Sequence, residues 1–380
     1  SSPRGGYFED SSKEGGVYRP NRYTRCVDTL VGLTRDEIIS ALGDEPRAKM
    51  RGRQIADWIY RRAVADWDQM TDLPAEFRAR MAELWSLLPL QVARHVTSTD
   101  GVDKLLVHGG DEQVFECVLL PYADRVSCCL SSQVGCPMGC RFCATGLGGF
   151  DRNLSAGEMI GQYLMLQRLT ERRISHVVFM GMGEPLLNLE NLVKTLTLLH
   201  DEVGLSYRHL TVSTVGLVPQ ILELAQLKLP IHLALSLHST DDEIRSRLMP
   251  VNKRWAIAEL MDAMRTYSRA TGRKITIEYL LLSELTDTPT QAAELARLIQ
   301  GMPTVVNVIP FNYVATEESF KRPSRERVRA FKSELKRRGV NVTERVERGH
   351  DIAAACGQLA GQHAGRFARR PTSSALPVLS

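Results

Sequence analysis

The stretch GCPMGCRFCATG, from Gly135 to Gly146, places three cysteines within eight residues. Cys136, Cys140 and Cys143 follow the spacing Cys-x3-Cys-x2-Cys directly after a strand-like run. A structural zinc site takes four protein ligands, and a four-iron cluster usually takes four thiolates. Three thiolates in one loop therefore leave one coordination position open for another molecule.

The open position favours an iron–sulfur cluster that binds a second molecule at its free iron. This spacing is typical of sites that chelate the amino and carboxylate groups of S-adenosylmethionine, whose one-electron reduction yields a 5′-deoxyadenosyl radical. Phe142, just before the last cysteine, fits a lid over such a cluster. The alternative is zinc, with Cys128 or Cys129 as the fourth ligand.

Composition sets the broad class of protein. The 380 residues are 43% hydrophobic and 24% charged, which is ordinary for a globular chain. Lysines and arginines exceed acidic residues by 48 − 44, a net charge of +4, so an anionic partner is permitted but not required. No apolar run reaches the length of about 18 residues that a membrane helix needs. Six of the eight cysteines lie between 117 and 143, which indicates metal or redox chemistry in a reducing compartment.

Strand-like and helical runs alternate after the cysteine loop. The strand candidates are SHVVFM, HLTVSTV, IHLALSL, KITIEYLLL and VVNVIP, and RVSCCLSS before the loop makes six. Helical runs between them include one that begins with a capping box of Ser155 and Glu158. The pattern predicts an α/β fold with a parallel sheet whose ligands bind at the carboxyl ends of the strands.

The chain before the loop divides into a helical part and a β part. Residues 33 to 88 show helical periodicity, with a capping box of Thr34 and Glu37. KLLVHG and VFECVLLP flank the turn GDEQ and predict a β-hairpin. The helical part also carries four arginines that are either a solvated face or a docking surface for phosphates: Arg51, Arg53, Arg61 and Arg62.

Small and polar residues stand at the predicted strand ends. Gly181, Gly183 and Glu184 follow the second strand in FMGMGEPLLN, where backbone can approach a ligand closely and a carboxylate can hold an ammonium group. The runs STVG, SLHS and IPFN place further polar groups at later strand ends. Such groups bind a ribose, a carboxylate or an adenine edge, and each of them alone is equally compatible with a strand cap.

With these motifs, the chain resembles the radical S-adenosylmethionine (radical SAM) enzymes, and more narrowly the RlmN/Cfr family of adenine-modifying RNA methyltransferases. The resemblance runs from Leu33 to Ala364 and depends on CLSSQVGCPMGCRFCATG, FMGMGEPLLN, STVGLVP, LSLHS, RLMPVNK and DIAAACGQLAG. It implies a partial (β/α)6 barrel over residues 126–364, a helical RNA-binding accessory domain over 31–90 and a β-hairpin extension over 91–125. Residues 1–30 and 365–380, rich in Ser, Gly, Pro and charge, are predicted to be flexible.

The resemblance also implies a role for individual residues. Cys136, Cys140 and Cys143 hold one [4Fe-4S] cluster, Cys356 becomes S-methylated, and Cys129 is the resolving cysteine that forms a transient disulfide with it. Glu116 is the implied proton acceptor. The residues implied to bind S-adenosylmethionine are Gly183, Glu184, Ser213, Ser236, Leu237, His238 and Asn312. Cys26, Cys117 and Cys128 match no assigned role.

The implied reaction methylates C2 of an adenine and uses two S-adenosylmethionine molecules per turnover. Adenine C2 offers no nucleophile, so the methyl is carried on Cys356, added to C2 as a radical and released when Cys129 attacks the Cys356 sulfur. A reductant must supply electrons to the cluster and reduce the disulfide.

The implied substrates are an adenine of the peptidyl-transferase region of ribosomal RNA and the adenine 3′ of the anticodon in transfer RNA. The resemblance favours a monomer in the bacterial cytoplasm, with a plastid or other organelle as the alternative location. Methylation at C8 of the same adenine is the first alternative activity, although Pro185 after Glu184 follows the C2 pattern. A non-catalytic, metal-bearing RNA-binding protein and a radical enzyme that acts on protein or metabolite are the others.

Overall fold

The computed structural model of the chain describes residues 28–111, 113–314 and 318–359. The predicted flexible segments 1–30 and 365–380 lie outside these ranges, apart from residues 28–30, and Cys26 lies outside them as well. Within the described ranges, none of the helices has both the length and the apolar character needed to cross a bilayer.

The N-terminal part is helical, as predicted. Its elements are β1 (Asp28–Thr29), α1 (Arg35–Ala41), α2 (Ala48–Ala56), α3 (Ala75–Leu84) and β2 (Trp85–Ser86), and β1 pairs parallel with β2. The predicted capping box forms at the start of α1, where the Thr34 hydroxyl and the Glu37 carboxylate each accept the other residue's backbone N–H. Ile55 and Ile59 are buried, which confirms the predicted apolar face of this region.

An antiparallel meander follows the helices. It comprises β3 (Gln91–Thr97), β4 (Asp103–His108) and β5 (Val114–Pro121), and β5 pairs antiparallel with β6 (Val126–Cys129). The predicted hairpin is the β4–β5 pair. The meander is therefore one strand larger than a hairpin, and it continues the sheet of the barrel.

The remaining strands form the predicted partial barrel. Parallel strands β6, β9 (Ile174–Phe179), β10 (Leu210–Thr214), β11 (His232–Ser236), β12 (Ile275–Leu281) and β13 (Thr304–Pro310) are neighbours in that order, and the short β14 (Val342–Glu344) extends them. A separate antiparallel pair, β7 (Gln133–Gly135) and β8 (Phe150–Asn153), brackets the cysteine loop. The helices are α4 (Ala144–Leu147), α5 (Ala156–Arg168), α6 (Leu189–Thr197), α7 (Val218–Leu227), α8 (Asp242–Leu248), α9 (Ile257–Thr271), α10 (Pro289–Leu298) and α11 (Arg325–Arg337).

The parallel strands alternate between an apolar face and a mixed face. In β12, Ile275, Ile277, Tyr279 and Leu281 share one face and are all fully buried, whereas Thr276 and Glu278 lie on the other. The carboxyl ends of the parallel strands meet at one rim of the barrel. The cysteine loop and the polar strand ends lie at that rim.

The N-terminal part packs directly against the barrel through backbone. Gly32 has a φ of +101°, and a Cβ there would lie 2.5 Å from Gly157 Cα in the first turn of α5. The Tyr60 hydroxyl accepts the Gly32 N–H at 3.0 Å and donates to the Leu33 carbonyl at 2.5 Å. A side chain at position 32 would separate the two parts.

We expect Gly32→Ala to lower the free energy of unfolding by about 2 kcal/mol or more, because it combines a left-handed backbone with a steric clash against another backbone. Urea denaturation measures this change. Gly43→Ala is the matched control: Gly43 also has a positive φ of +55°, but an added Cβ meets nothing within 4 Å. Equal losses in the two variants would show that the contact with Gly157 does not hold the parts together.

Candidate active site

The cysteine loop is held in shape by the strand pair on either side of it. Cys136 N–H donates to the Gly149 carbonyl at 2.7 Å, and Cys143 N–H donates to the Cys140 carbonyl at 3.2 Å. Gly135 has a φ of +76°, and a Cβ there would lie 2.1 Å from the Gly149 carbonyl oxygen. The close approach of β7 and β8 therefore requires glycine at this position.

A cavity of about 160 Å³ lies between the cysteine loop and the strand ends. Most of the predicted site residues line it: Cys136, Cys140, Cys143, Gly183, Glu184, Ser213, Ser236, His238, Asn312 and Cys356. Leu237 does not. Its side chain is fully buried in the core, and its backbone N–H donates to the Glu278 carbonyl.

The cavity walls suit a cluster and a polar ligand. In the described chain, no three His, Cys, Asp or Glu side chains converge closely enough to hold a single metal ion, whereas all three loop cysteines line the cavity. Gly183 has a φ of +101°, and a Cβ there would clash with Ser132 and Gln133. The buried Asn312 Oδ1, which has no hydrogen-bond partner among the described residues, also lies at this cavity. Three thiols beside glycines and a few polar groups fit an iron–sulfur cluster and S-adenosylmethionine.

Glu184 presents a buried carboxyl group to this cavity. It is 2% exposed, and its two oxygens accept the backbone N–H groups of Val215 (2.9 Å) and Leu186 (3.1 Å). Burial raises the pKa of Glu184 to about 7, although these hydrogen bonds oppose the shift. An ammonium group bound beside it would restore the carboxylate, which agrees with the predicted role.

His238 is held as a neutral ring. Its φ is +61°, its Nδ1 accepts the Leu280 N–H at 3.1 Å, and burial lowers its pKa to about 3. The ring meets Phe142 edge to face, with centroids 4.9 Å apart. Phe142 therefore links the cysteine loop to the end of β11 rather than only covering a cluster.

Cys129 and Cys356 line a second, smaller cavity of about 40 Å³, and Cys356 also lines the first. Burial raises the pKa of Cys129 to about 12 and raises that of Cys356, while the Arg345 guanidinium opposes both shifts. Arg345 lines both cavities and lies 3.8 Å from the buried Glu278 carboxylate. Arg345 and Glu278 belong to no motif with defined spacing, so sequence patterns alone do not identify them.

Glu116 lies outside both cavity walls. It is 2% exposed and pairs with Lys104 Nζ at 3.0 Å. The same ammonium donates to the Ala353 carbonyl at 3.2 Å, three residues before Cys356. Lys104 thus links the predicted proton acceptor to the segment that carries Cys356.

The alternative zinc ligands do not join the loop cysteines. Cys129 opens onto the second cavity, and Cys128, its neighbour in β6, is fully buried in the core. Cys117 is likewise fully buried in β5. Burial raises the pKa of both core thiols well above the ordinary value, as expected for inert packing residues.

The fold and the cavity define the class of protein, a radical SAM enzyme. The family model described as the Radical SAM superfamily matches residues 130–296, and that of the ribosomal RNA large subunit methyltransferase N-terminal domain matches residues 29–87. Two proteins named "Probable dual-specificity RNA methyltransferase RlmN" are 44% identical over 337 residues (Carboxydothermus hydrogenoformans) and 40% identical over 333 (Thermotoga maritima). The alignments cover 88% and 87% of this chain and 98% and 96% of those proteins. The chain belongs to the RlmN family of radical SAM RNA methyltransferases.

A solved structure supports the same assignment. The crystal structure of a radical SAM methyltransferase from Sphaerobacter thermophilus is 43% identical, with a TM-score of 0.85, and the match covers 88% of this chain and all of that one. The predicted family and the predicted fold class are therefore both confirmed.

Glu184 gives the cluster-free chain a pH-dependent stability. Because its pKa rises from 4.5 to about 7 on folding, its favourable contribution is complete below about pH 4.5 and is lost as the pH rises through 7. We expect the free energy of unfolding of the wild type to fall by about 3 kcal/mol as the pH rises through this window, and we expect Glu184→Gln to lack this fall. Urea denaturation of the reduced, cluster-free protein at several pH values measures it.

Glu190→Gln, a change at an exposed carboxyl group in the first turn of α6, is the control and keeps the wild-type pH dependence. Parallel curves for Glu184→Gln and the wild type would mean that Glu184 is ionised in the folded, empty site.

Proposed function

We propose that the chain methylates C2 of an adenine in the peptidyl-transferase region of ribosomal RNA and the adenine 3′ of the anticodon in transfer RNA. The single observation that carries this proposal is the placement of Cys356 between two cavities, one lined by the three loop cysteines and the other by Cys129. The names of the two relatives, which include "dual-specificity", support two kinds of RNA substrate. We place the enzyme in the bacterial cytoplasm, as a monomer.

The proposed cofactors fit the first cavity. Cys136, Cys140 and Cys143 would hold one [4Fe-4S] cluster, and Glu184 with the polar ends of β10 and β11 would hold S-adenosylmethionine. When bound, this pair supplies a radical that removes hydrogen from an unactivated methyl group. The protein's own contribution is to place that methyl within reach and to exclude water.

Cys356 is the proposed methyl carrier. Its Sγ attacks the methyl of a first S-adenosylmethionine and displaces the thioether, so the thiol must first lose its proton. Arg345 favours the thiolate against the opposing effect of burial. A carbon radical formed on this methyl adds to adenine C2, where no nucleophile is available for a polar reaction.

Cys129 and Glu116 are proposed to complete the reaction. The radical adduct must return one electron to the oxidised cluster held by the loop cysteines, and Glu116 is proposed to take the proton that C2 loses. The Cys129 thiolate then attacks the Cys356 sulfur and breaks the bond from that sulfur to the new carbon, which takes up a proton and becomes the methyl group. A disulfide is left for a reductant to open. The Glu116 carboxylate pairs with Lys104, whose ammonium also donates to the Ala353 carbonyl, and Glu116 lines neither cavity, so a rearrangement of this region is required for direct contact with the base.

The RNA contact of the helical part is proposed to use exposed arginines. A reacting base must leave its stack, at a cost of a few kcal/mol that phosphate contacts can offset. Arg53 is exposed on α2, whereas Arg51 pairs with Glu45 at 3.3 Å and lies 4.3 Å over the Phe77 ring. Arg51 therefore holds the helices together, and Arg53 is the better candidate for a phosphate contact.

The alternatives remain distinguishable by product. Methylation at C8 would use the same cysteines and the same cavity, and Pro185 after Glu184 is what favours C2. A non-catalytic RNA-binding protein would not need Cys356 beside the cysteine loop.

We expect anaerobic enzyme with a reconstituted cluster to form 2-methyladenosine in RNA, and Cys356→Ser to form none because a hydroxyl is a poor methyl acceptor. Cys129→Ala should leave RNA attached to Cys356, because the step that releases the product is missing. Mass spectrometry of digested RNA and denaturing gels of the protein measure both outcomes.

Cys128→Ala is the matched control, one residue from Cys129 but buried in the core, and it should keep the methylation. Methylated adenosine from Cys356→Ser would overturn the carrier role, and 8-methyladenosine from the wild type would overturn the C2 assignment.

Replacing Arg53 by alanine should reduce the slope of log K against log salt for RNA binding by about 1, as expected for one lost phosphate contact. Arg51→Ala should instead lower the free energy of unfolding by about 1 kcal/mol, since it removes the Glu45 pair and the Phe77 contact. Filter binding at several salt concentrations and urea denaturation separate the two effects. The same salt slope in Arg53→Ala as in the wild type would exclude that arginine from the interface.

A further inference from the structure

An apolar groove lies on the outside of the cysteine loop. Its volume is about 260 Å³, and Pro137, Met138, Val251 and Trp255 contribute to its walls. Phe150 stands at its edge and is 43% exposed, which is unusual for a phenylalanine. The groove and the inner cavity have no lining residue in common within the described chain.

The position of the groove relates it to the proposed cluster. Pro137 and Met138 lie between Cys136 and Cys140 in the chain, so the inner side of the loop presents thiols to the cavity and its outer side walls the groove. Electron transfer between proteins slows steeply with distance. A protein that delivers electrons must dock where little more than this loop separates it from the cluster.

Two exposed cations border the groove. The loop segment 136–147 and the segment 245–255 meet where the Arg141 backbone N–H donates to the Leu248 carbonyl at 3.0 Å. Arg141 and Arg247 both pair with Glu318 and Arg245 is buried, so the basic character of this surface comes from Lys253 and Arg254. Lys253 and Arg254 are exposed, and the Arg254 guanidinium lies 4.8 Å from the Trp255 ring centroid. A partner with acidic residues around an apolar centre would complement this surface.

An apolar centre with a charged rim is typical of a protein interface, whereas RNA surfaces bind mainly through phosphate contacts. A second copy of the same basic face would be repelled. Residues 360–380 carry three arginines and no acidic residue, so this C-terminal segment would not complement the charge of the groove either.

We propose that this groove docks an acidic one-electron carrier protein. The reduced carrier would give up one electron to the cluster held by Cys136, Cys140 and Cys143, and no covalent bond forms or breaks in that transfer. The inference rests on the proposed function, which requires a reductant, and adds the surface by which the reductant binds.

The test uses the holoenzyme with both Lys253→Glu and Arg254→Glu and a purified acidic flavodoxin as the probe. We expect the dissociation constant at low salt to rise about tenfold and its salt dependence to weaken, because two rim charges change sign. Calorimetry measures binding, and electron paramagnetic resonance follows reduction of the cluster. Reduction by flavodoxin should slow, whereas reduction and methylation with dithionite should match the wild type.

A variant with Arg325→Glu and Arg329→Glu, which reverses two exposed charges on α11, is the control and should bind the carrier as the wild type does. Unchanged carrier affinity in the groove variant would overturn the proposal. Three other results would also overturn it. A loss of RNA affinity in the groove variant would assign the groove to RNA, and a changed oligomeric state would assign it to a second copy of the chain. Tighter carrier binding after removal of residues 360–380 would assign it to the chain's own C-terminal end. Failure of methylation with dithionite in the wild type would instead count against the proposed function.

Discussion

The site depends on the attachment of the C-terminal segment to the cysteine loop. The Gly357 carbonyl accepts the Ala144 N–H at 2.8 Å, the Leu359 carbonyl accepts the Thr145 hydroxyl at 2.5 Å, and Asn312 Nδ2 donates to the Cys356 carbonyl at 3.4 Å. These bonds bring the last described residues onto the residues that follow Cys143. Without these hydrogen bonds Cys356 would not lie between the two cavities, and the first cavity would lose one of its walls.

Burial then sets the charge state of the site. It raises the pKa of the thiols of Cys140, Cys129 and Cys356 and of the Glu184 carboxyl group, so the cluster-free cavity favours neutral groups. Arg345 acts in the opposite direction because its guanidinium lies among two of these thiols and Glu278. A cation bound among the loop cysteines would stabilise their thiolates, which couples cofactor binding to deprotonation.

Sequence patterns predicted the elements that local chemistry determines. Both capping boxes form, at Thr34 and Ser155, and the six parallel strands follow the apolar runs. The motif loops gather at one rim because parallel strands end together. The patterns could not show that Arg345 lies between distant cysteines, since that contact depends on how β14 and the segment after it pack. They also could not distinguish Arg51 from Arg53, because both are basic positions on one helix and it is the tertiary contacts of Arg51 with Glu45 and Phe77 that separate them.

The two sides of the cysteine loop present opposite surfaces. The inner side presents the thiols to the cavity that Glu184 and His238 also line, and the outer side presents Pro137 and Met138 to the groove that Trp255 and Arg254 also line. A base entering from the Cys356 side and an electron carrier on the outer side would not compete for the same surface. In the proposed reaction, such a separation would let the RNA remain bound while the cluster is reduced.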